Sequence, residues 1–169
     1  MTNVGEKGMS LLEVLIVITI FAVLGILVTQ SVVLTLQGSK KSESMVRARE
    51  NLDYSLSIIE RQIRSASSVT PCTGSAVSVI DYLDQNGEQG SFSCVDTGSD
   101  SYIASGSGVK RKRLTSDAVK VVSCSFVCTP GTMTNPPLIT VEVALKEASA
   151  KGIQSASVSA STQIYLRNY

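Results

Sequence analysis

Residues 14–36 read VLIVITIFAVLGILVTQSVVLTL, an apolar run that contains no charged residue. As an α-helix with a rise of about 1.5 Å per residue, the run would span roughly 35 Å, enough to cross a hydrocarbon core of about 30 Å. It is longer than the apolar region of an ordinary signal peptide, and no small-x-small cleavage site follows it. The run therefore predicts a retained membrane helix, and an ordinary membrane anchor for an extracytoplasmic domain is one interpretation of it.

Glu13 stands at the edge of this run, and no Lys or Arg lies within the run to pair with it. A carboxylate at membrane depth costs a few kcal/mol even on lenient insertion scales, so it implies a partner cation. A free α-amino group would meet that need if the chain were cut just upstream. An ordinary anchor has no use for such an acid, so Glu13 favours a second interpretation.

The residues 7–13, Lys-Gly-Met-Ser-Leu-Leu-Glu, together with the long apolar run, resemble the prepilin signal of type IV pilins and pseudopilins. The chain looks most like a minor pilin or a minor pseudopilin of type II secretion. The resemblance implies that a peptidase recognises Lys7 and Gly8, cuts after Gly8 and leaves Met9 as an N-methylated terminus. It further implies that Glu13 pairs with the Met9 amine of a neighbouring subunit during assembly.

The segment after Lys40 changes to an amphipathic helical pattern. Apolar or small residues recur at spacings of three and four, which is one face of a helix: Met45, Ala48, Leu52, Leu56, Ile59, Ile63 and Ala66. We expect one helix over about residues 10–67, ended by Val69-Thr70-Pro71 because the residue before a proline avoids helical geometry. The opposite face could contact a partner pilin helix.

After Pro71 the pattern becomes that of β-strands. Strands are predicted at 77–83, 89–95, 101–104, 109–114, 119–128, 138–146 and 158–167, and Asn86-Gly87 is the strongest hairpin signal. The fold class is therefore α+β, with the second half of one long helix packed on an antiparallel sheet. The predicted segments are a leader at 1–8, a transmembrane and assembly helix at 9–37, its amphipathic continuation at 38–70 and a β globular domain at 71–169.

Four cysteines, Cys72, Cys94, Cys124 and Cys128, all follow the apolar run. An even number in a loop-rich exported domain favours disulfides. A zinc site is less favoured, because the sequence contains no C-x-x-C pair. Cys124 and Cys128 would lie roughly 13 Å apart in a strand, beyond the reach of about 7 Å between Cα atoms, unless a bulge or turn intervenes. A bond from Cys72 to Cys94 is the pairing that we predict, with reduced core cysteines as the alternative.

The run Lys110-Arg111-Lys112-Arg113 concentrates positive charge in one predicted strand. Because successive strand residues point to opposite faces, the four cations cannot form one flat patch. The first interpretation is an edge strand that charge protects from aggregation. The second is contact with DNA or another anionic surface, as in a competence pilin, through phosphate contacts that weaken with salt.

Catalysis is not expected. Histidine is absent, which removes the commonest general base and metal ligand, and no nucleophile motif is present. Tryptophan is absent and aromatic residues make up 5% of the chain, so base-stacking surfaces are scarce. The net charge of +1 gives no global attraction for nucleic acid. We expect no cofactor and no metal.

The sequence thus predicts a structural subunit of a type IV pilus or fimbrium, or of a type II secretion pseudopilus. The partners would be other pilin or pseudopilin subunits, a prepilin peptidase and methyltransferase, an inner-membrane assembly platform and, before assembly, membrane lipid. The cations after the run (Lys40, Lys41, Arg47 and Arg49), taken alone, favour a cytoplasmic C-terminal domain. The cysteines and the prepilin resemblance favour an external domain, first on the inner membrane and then in an extracellular or periplasmic filament.

Overall fold

The computed structural model describes residues 10–107, 110–132, 134–149 and 157–167. The chain divides into two compact units, Met1–Lys40 and Lys41–Tyr169. Within the described residues it forms one α-helix and nine β-strands, which confirms the α+β class. The predicted segment boundaries remain predictions, apart from the helix end discussed below.

The helix α1 spans Leu11–Arg64, 54 residues. Its carboxyl end comes three residues earlier than expected, because Ser68–Thr70 is not a helix terminus but the strand β1. Ala66 N–H still donates to the Ile63 carbonyl at 3.1 Å, and Ser67 N–H already donates to Leu83 of a later strand at 2.8 Å. The helix therefore ends where the backbone begins to pair with a strand, several residues before Pro71.

Nine strands follow the helix. Their bounds are β1 Ser68–Thr70, β2 Ala76–Val77, β3 Val79–Leu83, β4 Gln89–Asp96, β5 Ser101–Ser107, β6 Lys110–Arg113, β7 Val119–Thr129, β8 Leu138–Glu147 and β9 Ser157–Tyr165. The predicted hairpin turn joins β3 and β4: Gly87 has a φ of 83°, and the Asp84 carboxylate accepts from the Asn86 and Glu88 amides at 2.8 Å. Such a turn favours glycine at the left-handed position.

The prediction of one sheet was wrong, because the strands form two antiparallel sheets. The five-stranded sheet has the order β1-β3-β4-β5-β6, and the four-stranded sheet has the order β2-β7-β8-β9. The predicted strand 77–83 divides at Ser78: Val77 pairs with β7 of the second sheet, while Val79 pairs with β4 of the first. Alternating residues mark a strand but do not say which sheet it joins, so the sequence pattern could not show this division.

One hydrophobic core lies among the amphipathic part of α1 and both sheets. The helix contributes Ala48, Leu52, Leu56, Ile59 and Ile63, and the strands contribute Ile80, Phe92, Ile103, Phe126, Ile139, Val141, Leu145 and Ile164. The predicted helix face is confirmed except at Met45, which is exposed. Ser44 is buried in its place, because the buried residues continue at a spacing of four from Ala48. Ser55 is also buried, and its hydroxyl donates to the Asn51 carbonyl at 2.7 Å.

The four cysteines form the disulfides Cys72–Cys128 and Cys94–Cys124. The predicted Cys72–Cys94 bond is therefore wrong. Cys72 precedes β2, and the pairing of β2 with β7 brings it to Cys128, with a Cα–Cα distance of 4.6 Å. The expectation that Cys124 and Cys128 do not bond to each other is confirmed. Closing loops of 56 and 30 residues contributes about 4 kcal/mol each in the chain-entropy model.

Candidate functional site

The apolar run forms the first part of α1, and its side chains are exposed. From Leu11 to Leu36 the exposed large hydrophobic side chains have 41–84% of their surface accessible, and the first buried residue of the helix is Ser44. Soluble monomers rarely expose contiguous apolar patches larger than a few hundred Å². This surface therefore requires lipid or other apolar helices around it.

The three threonines inside the run form side-chain hydrogen bonds within the helix. The hydroxyls of Thr19, Thr29 and Thr35 each donate to a backbone carbonyl three or four residues earlier, at 2.8, 2.8 and 2.9 Å. A hydroxyl whose donor is satisfied within the helix costs less in an apolar environment than an unpaired one. The three threonines are therefore more compatible with lipid than their polarity alone indicates.

Glu13 lies in the first turn of α1 and is exposed. Its backbone N–H donates to the Ser10 carbonyl at 2.9 Å, so Ser10 marks the start of the helix. The positive end of the helix dipole favours an acid at this position, but by less than the cost of a carboxylate at membrane depth. Among the described residues no cation pairs with the Glu13 side chain, and the next ionisable residue along the chain is Lys40. The predicted processing residues Lys7, Gly8 and Met9 lie outside the described residues.

Residues 4–29 match the family model of the prokaryotic N-terminal methylation motif. This segment is a prepilin signal. The match includes the end of the predicted leader, Glu13 and the exposed run as far as residue 29. Prepilin signals mark type IV pilins and pseudopilins, so the signal implies processing by a prepilin peptidase and assembly with other pilin subunits.

The comparisons support the prepilin signal and nothing finer. No curated protein and no solved structure matches the chain. Proteins with a prepilin signal are structural and non-enzymatic, and the apolar helix suits membrane anchoring. By length and composition, α1 is the one helix among the described residues that could cross a membrane.

The structure divides the predicted basic run into two parts. Arg113 is half-buried, and its guanidinium contacts Asp100 Oδ2 at 2.6 Å and Asp117 Oδ1 at 2.9 Å. It also lies 4.8 Å from the centre of the Tyr102 ring and donates to the carbonyl of Thr115 at 2.8 Å. These contacts stabilise the turn between β6 and β7, so the role of Arg113 is structural. No local sequence pattern indicates the pairing with the distant residue Asp100.

Three exposed cations lie on β6, which is one of the two edge strands of the five-stranded sheet: Lys110, Arg111 and Lys112. The expectation of a charged edge strand is therefore confirmed. A role in anion contact stays a prediction, now confined to three cations. Two of them, Lys110 and Lys112, share one face of the strand, and Arg111 points to the other.

Open depressions of about 220–260 Å³ lie on the described part of the domain, and one of them is lined by Gln62, Tyr82 and Asp84 among other residues. Burial, and secondarily the charge of Asp84, raise the pKa of Tyr82 above its usual value. Its hydroxyl donates to Gln62 Oε1 at 2.8 Å, which is a structural contact between β3 and α1. No group of side chains suited to a metal occurs among the described residues.

Proposed function

We propose that this chain is a structural subunit of a type IV pilus or of a type II secretion pseudopilus, cleaved after Gly8 and N-methylated at Met9. The single observation that carries the proposal is the prepilin signal, which includes Glu13 and continues into the exposed apolar part of α1. In this proposal the apolar run is first surrounded by lipid and then by the same run of other subunits, supplied through an inner-membrane assembly platform.

The proposed contact for Glu13 is the α-amino group of Met9 in a neighbouring subunit. Cleavage after Gly8 creates that amine, and N-methylation leaves it cationic. Two opposite charges in an apolar filament core attract strongly, while a register error leaves each charge unpaired at low dielectric, which costs several kcal/mol. The pair would therefore set the stagger between subunits as well as neutralise both charges.

The proposed location is the inner membrane, crossed once, with the C-terminal domain outside, followed by an extracellular or periplasmic filament. The two disulfides support an oxidising location for the domain. We favour a minor subunit, because many major pilins carry a proline in mid-helix and α1 has Gln30 at the matching position and no proline at all.

Two measurements test this function. Mass spectrometry of the mature protein should find N-methylated Met9 at the amino terminus. Glu13→Ala should be cleaved normally but should enter filaments poorly, while Glu88→Ala, which removes an exposed acid in the turn between β3 and β4, should assemble as the wild type does. A mature protein that keeps Met1 to Gly8 would favour the alternative of an extracytoplasmic domain on an ordinary anchor, and efficient assembly of Glu13→Ala would reject the ion pair.

A second candidate is a DNA-binding competence pilin, favoured by the three exposed cations of β6. Retention of DNA by the full chain should then fall steeply with salt and should be lost in the triple variant Lys110→Ala, Arg111→Ala and Lys112→Ala. The control is the double variant Lys40→Ala and Lys41→Ala, which removes exposed cations elsewhere. If the wild type does not retain DNA at low salt, this candidate is rejected.

A further inference from the structure

The four edges of the two sheets differ in how they are protected. In the described residues, β1 and β2 are edge strands of three and two residues, and β6 carries the cations Lys110 to Arg113. Short length and charge are two ways in which proteins prevent an edge from pairing with another chain. The fourth edge, β9, has neither protection.

The strand β9, Ser157–Tyr165, reads SVSASTQIY and contains nine residues with no charge and no proline. It pairs with β8 over nine consecutive positions without a register shift, so it is also free of bulges. On its other side no described strand pairs with it. Its outward backbone N–H and C=O groups therefore form a regular template for a further strand.

The side chains of β9 are also less covered than those of the strand beside it. On the inner face, Val158 and Ala160 are half-buried, while the β8 residues that pair with them are fully buried. On the outer face, Tyr165 is 56% exposed. Among the described strands only Val122, at the bulge of β7, is another exposed large hydrophobic residue. A strand added to β9 would extend the cover over the inner face and would contact an aromatic residue of the kind enriched at interfaces.

We propose that β9 is a strand-addition surface at which a second copy of this chain pairs, β9 antiparallel to β9. Of the edges that a second copy presents, β9 is the one that fits, because β1 and β2 are too short and β6 has four residues and is cationic. Pairing of β9 with itself opposes no like charges.

The symmetry of this contact determines which residues meet. If pairing is centred on Ser161, the middle residue of the strand, Ser161 faces its own copy and Ser159 faces Gln163. The two four-stranded sheets then join into one sheet of eight strands. Because each copy uses its edge once, the contact is closed and ends at two copies.

The size of the contact indicates weak association. Nine paired residues extend over about 30 Å, and a single strand pair buries less than the roughly 1,600 Å² of a standard stable interface. It would be populated when many copies share one membrane, where the effective concentration is high. The contact goes beyond the proposed function, since it requires neither α1 nor Glu13.

Cysteine cross-linking of the full chain, in proteoliposomes at high protein density, tests the proposal. All four native cysteines are in disulfides, so an added cysteine is the single free thiol. Ser161→Cys alone, and a mixture of Ser159→Cys with Gln163→Cys, should give disulfide-linked dimers in mild oxidant. The matched control is Glu142→Cys, an exposed position on β8 that pairs with Ser161 but is one strand away from the edge. Dimer yields no higher than those of the control would overturn the proposal.

A second variant keeps the test independent of the cross-link geometry. Ser161→Lys, added to the Ser159→Cys and Gln163→Cys chains, places two ammonium groups opposite each other and should abolish the dimer band. Ser161→Thr, which keeps an uncharged strand former, should retain it. Retention of both native disulfides shows that each variant is folded. Undiminished cross-linking of Ser161→Lys overturns the proposal, and an unchanged dimer with Glu13→Gln shows that the contact does not depend on the proposed role of Glu13.

Discussion

The two parts of α1 belong to one continuous helix but require different surroundings. Up to Leu36 every large apolar side chain is exposed, while from Ser44 to Ile63 one face of the helix is buried in the domain's own core. Helical backbone geometry is the same in both parts, so it does not distinguish them. The difference shows that the second part is stabilised by this chain and the first part only by lipid or other molecules.

The largest test of this difference is a matched pair of isoleucine substitutions. Ile59 is fully buried in the core, and Ile20 is 56% exposed in the apolar run. Ile59→Ala should lower the free energy of unfolding of the domain by about 2–5 kcal/mol, because it leaves a cavity. Ile20→Ala should change it by less than about 0.5 kcal/mol.

Denaturant unfolding of the full chain in detergent, followed by tyrosine fluorescence and near-ultraviolet circular dichroism, measures both values. Comparable losses in the two variants would show that the apolar run contributes to the stability of the domain, which would remove the distinction between the two parts.

The second test asks whether charged residues divide in the same way, into those satisfied within the chain and those left open. Arg113 and Lys112 are neighbours on β6, but Arg113 pairs with Asp100 and Asp117 while Lys112 is exposed. Arg113→Ala should destabilise the domain by about 1–3 kcal/mol, since it leaves partly buried acceptors without a donor. Lys112→Ala should stay within about 0.5 kcal/mol of the wild type.

Thermal unfolding of the two variants at the same pH and salt provides the measurement. Arg113→Lys serves as a further control: it keeps the charge but cannot reproduce the several directed hydrogen bonds of a guanidinium, so its stability should lie between those of the wild type and Arg113→Ala. Equal stability of Arg113→Ala and Lys112→Ala would show that the ion pairs of Arg113 are not structural.

The smallest expected effect concerns the contact between Tyr82 and the helix. The pKa of Tyr82 is raised by burial and by Asp84, so the folded protein holds this phenol proton more tightly than the unfolded chain. The stabilisation is fully present below the unfolded pKa of about 10 and is lost as the pH rises through the higher folded value. Tyr82→Phe should therefore lose less stability between pH 9 and 11 than the wild type does.

Melting temperatures across this range, with Tyr54→Phe as a control on the exposed surface of α1, measure the difference. If the wild type and Tyr82→Phe lose stability equally with pH, Tyr82 does not contribute to the alkaline unfolding of the domain.

Much of this architecture was predictable from local patterns. The apolar run, the helix face at Ala48, Leu52 and Ile59, and the hairpin at Gly87 follow from periodicity and turn chemistry, which operate over a few residues. The prepilin signal at residues 4–29 is likewise a contiguous motif. The charged edge strand β6 was predictable because charged side chains protect an exposed edge strand from pairing with another chain.

The features that were not predictable depend on residues far apart in the chain. The predicted strand divides at Ser78 because its first half pairs with β7 of one sheet and its second half pairs with β4 of the other. The pairing of Cys72 with Cys128, across 56 residues, follows from the same division. The partners of Arg113 and the exposed edge of β9 also appear only when the strand order is known.

The sequence by itself therefore determined that this chain has a prepilin signal, an apolar helix with one acid at its start, and a β-rich domain with four cysteines. These properties are local, because hydrophobic periodicity and short motifs act through neighbouring residues. The tertiary structure alone decided the two-sheet topology, the disulfide pairing and which edges and cations remain open. Those properties depend on which distant strands meet, and that choice is made by the packing of the whole domain around its core.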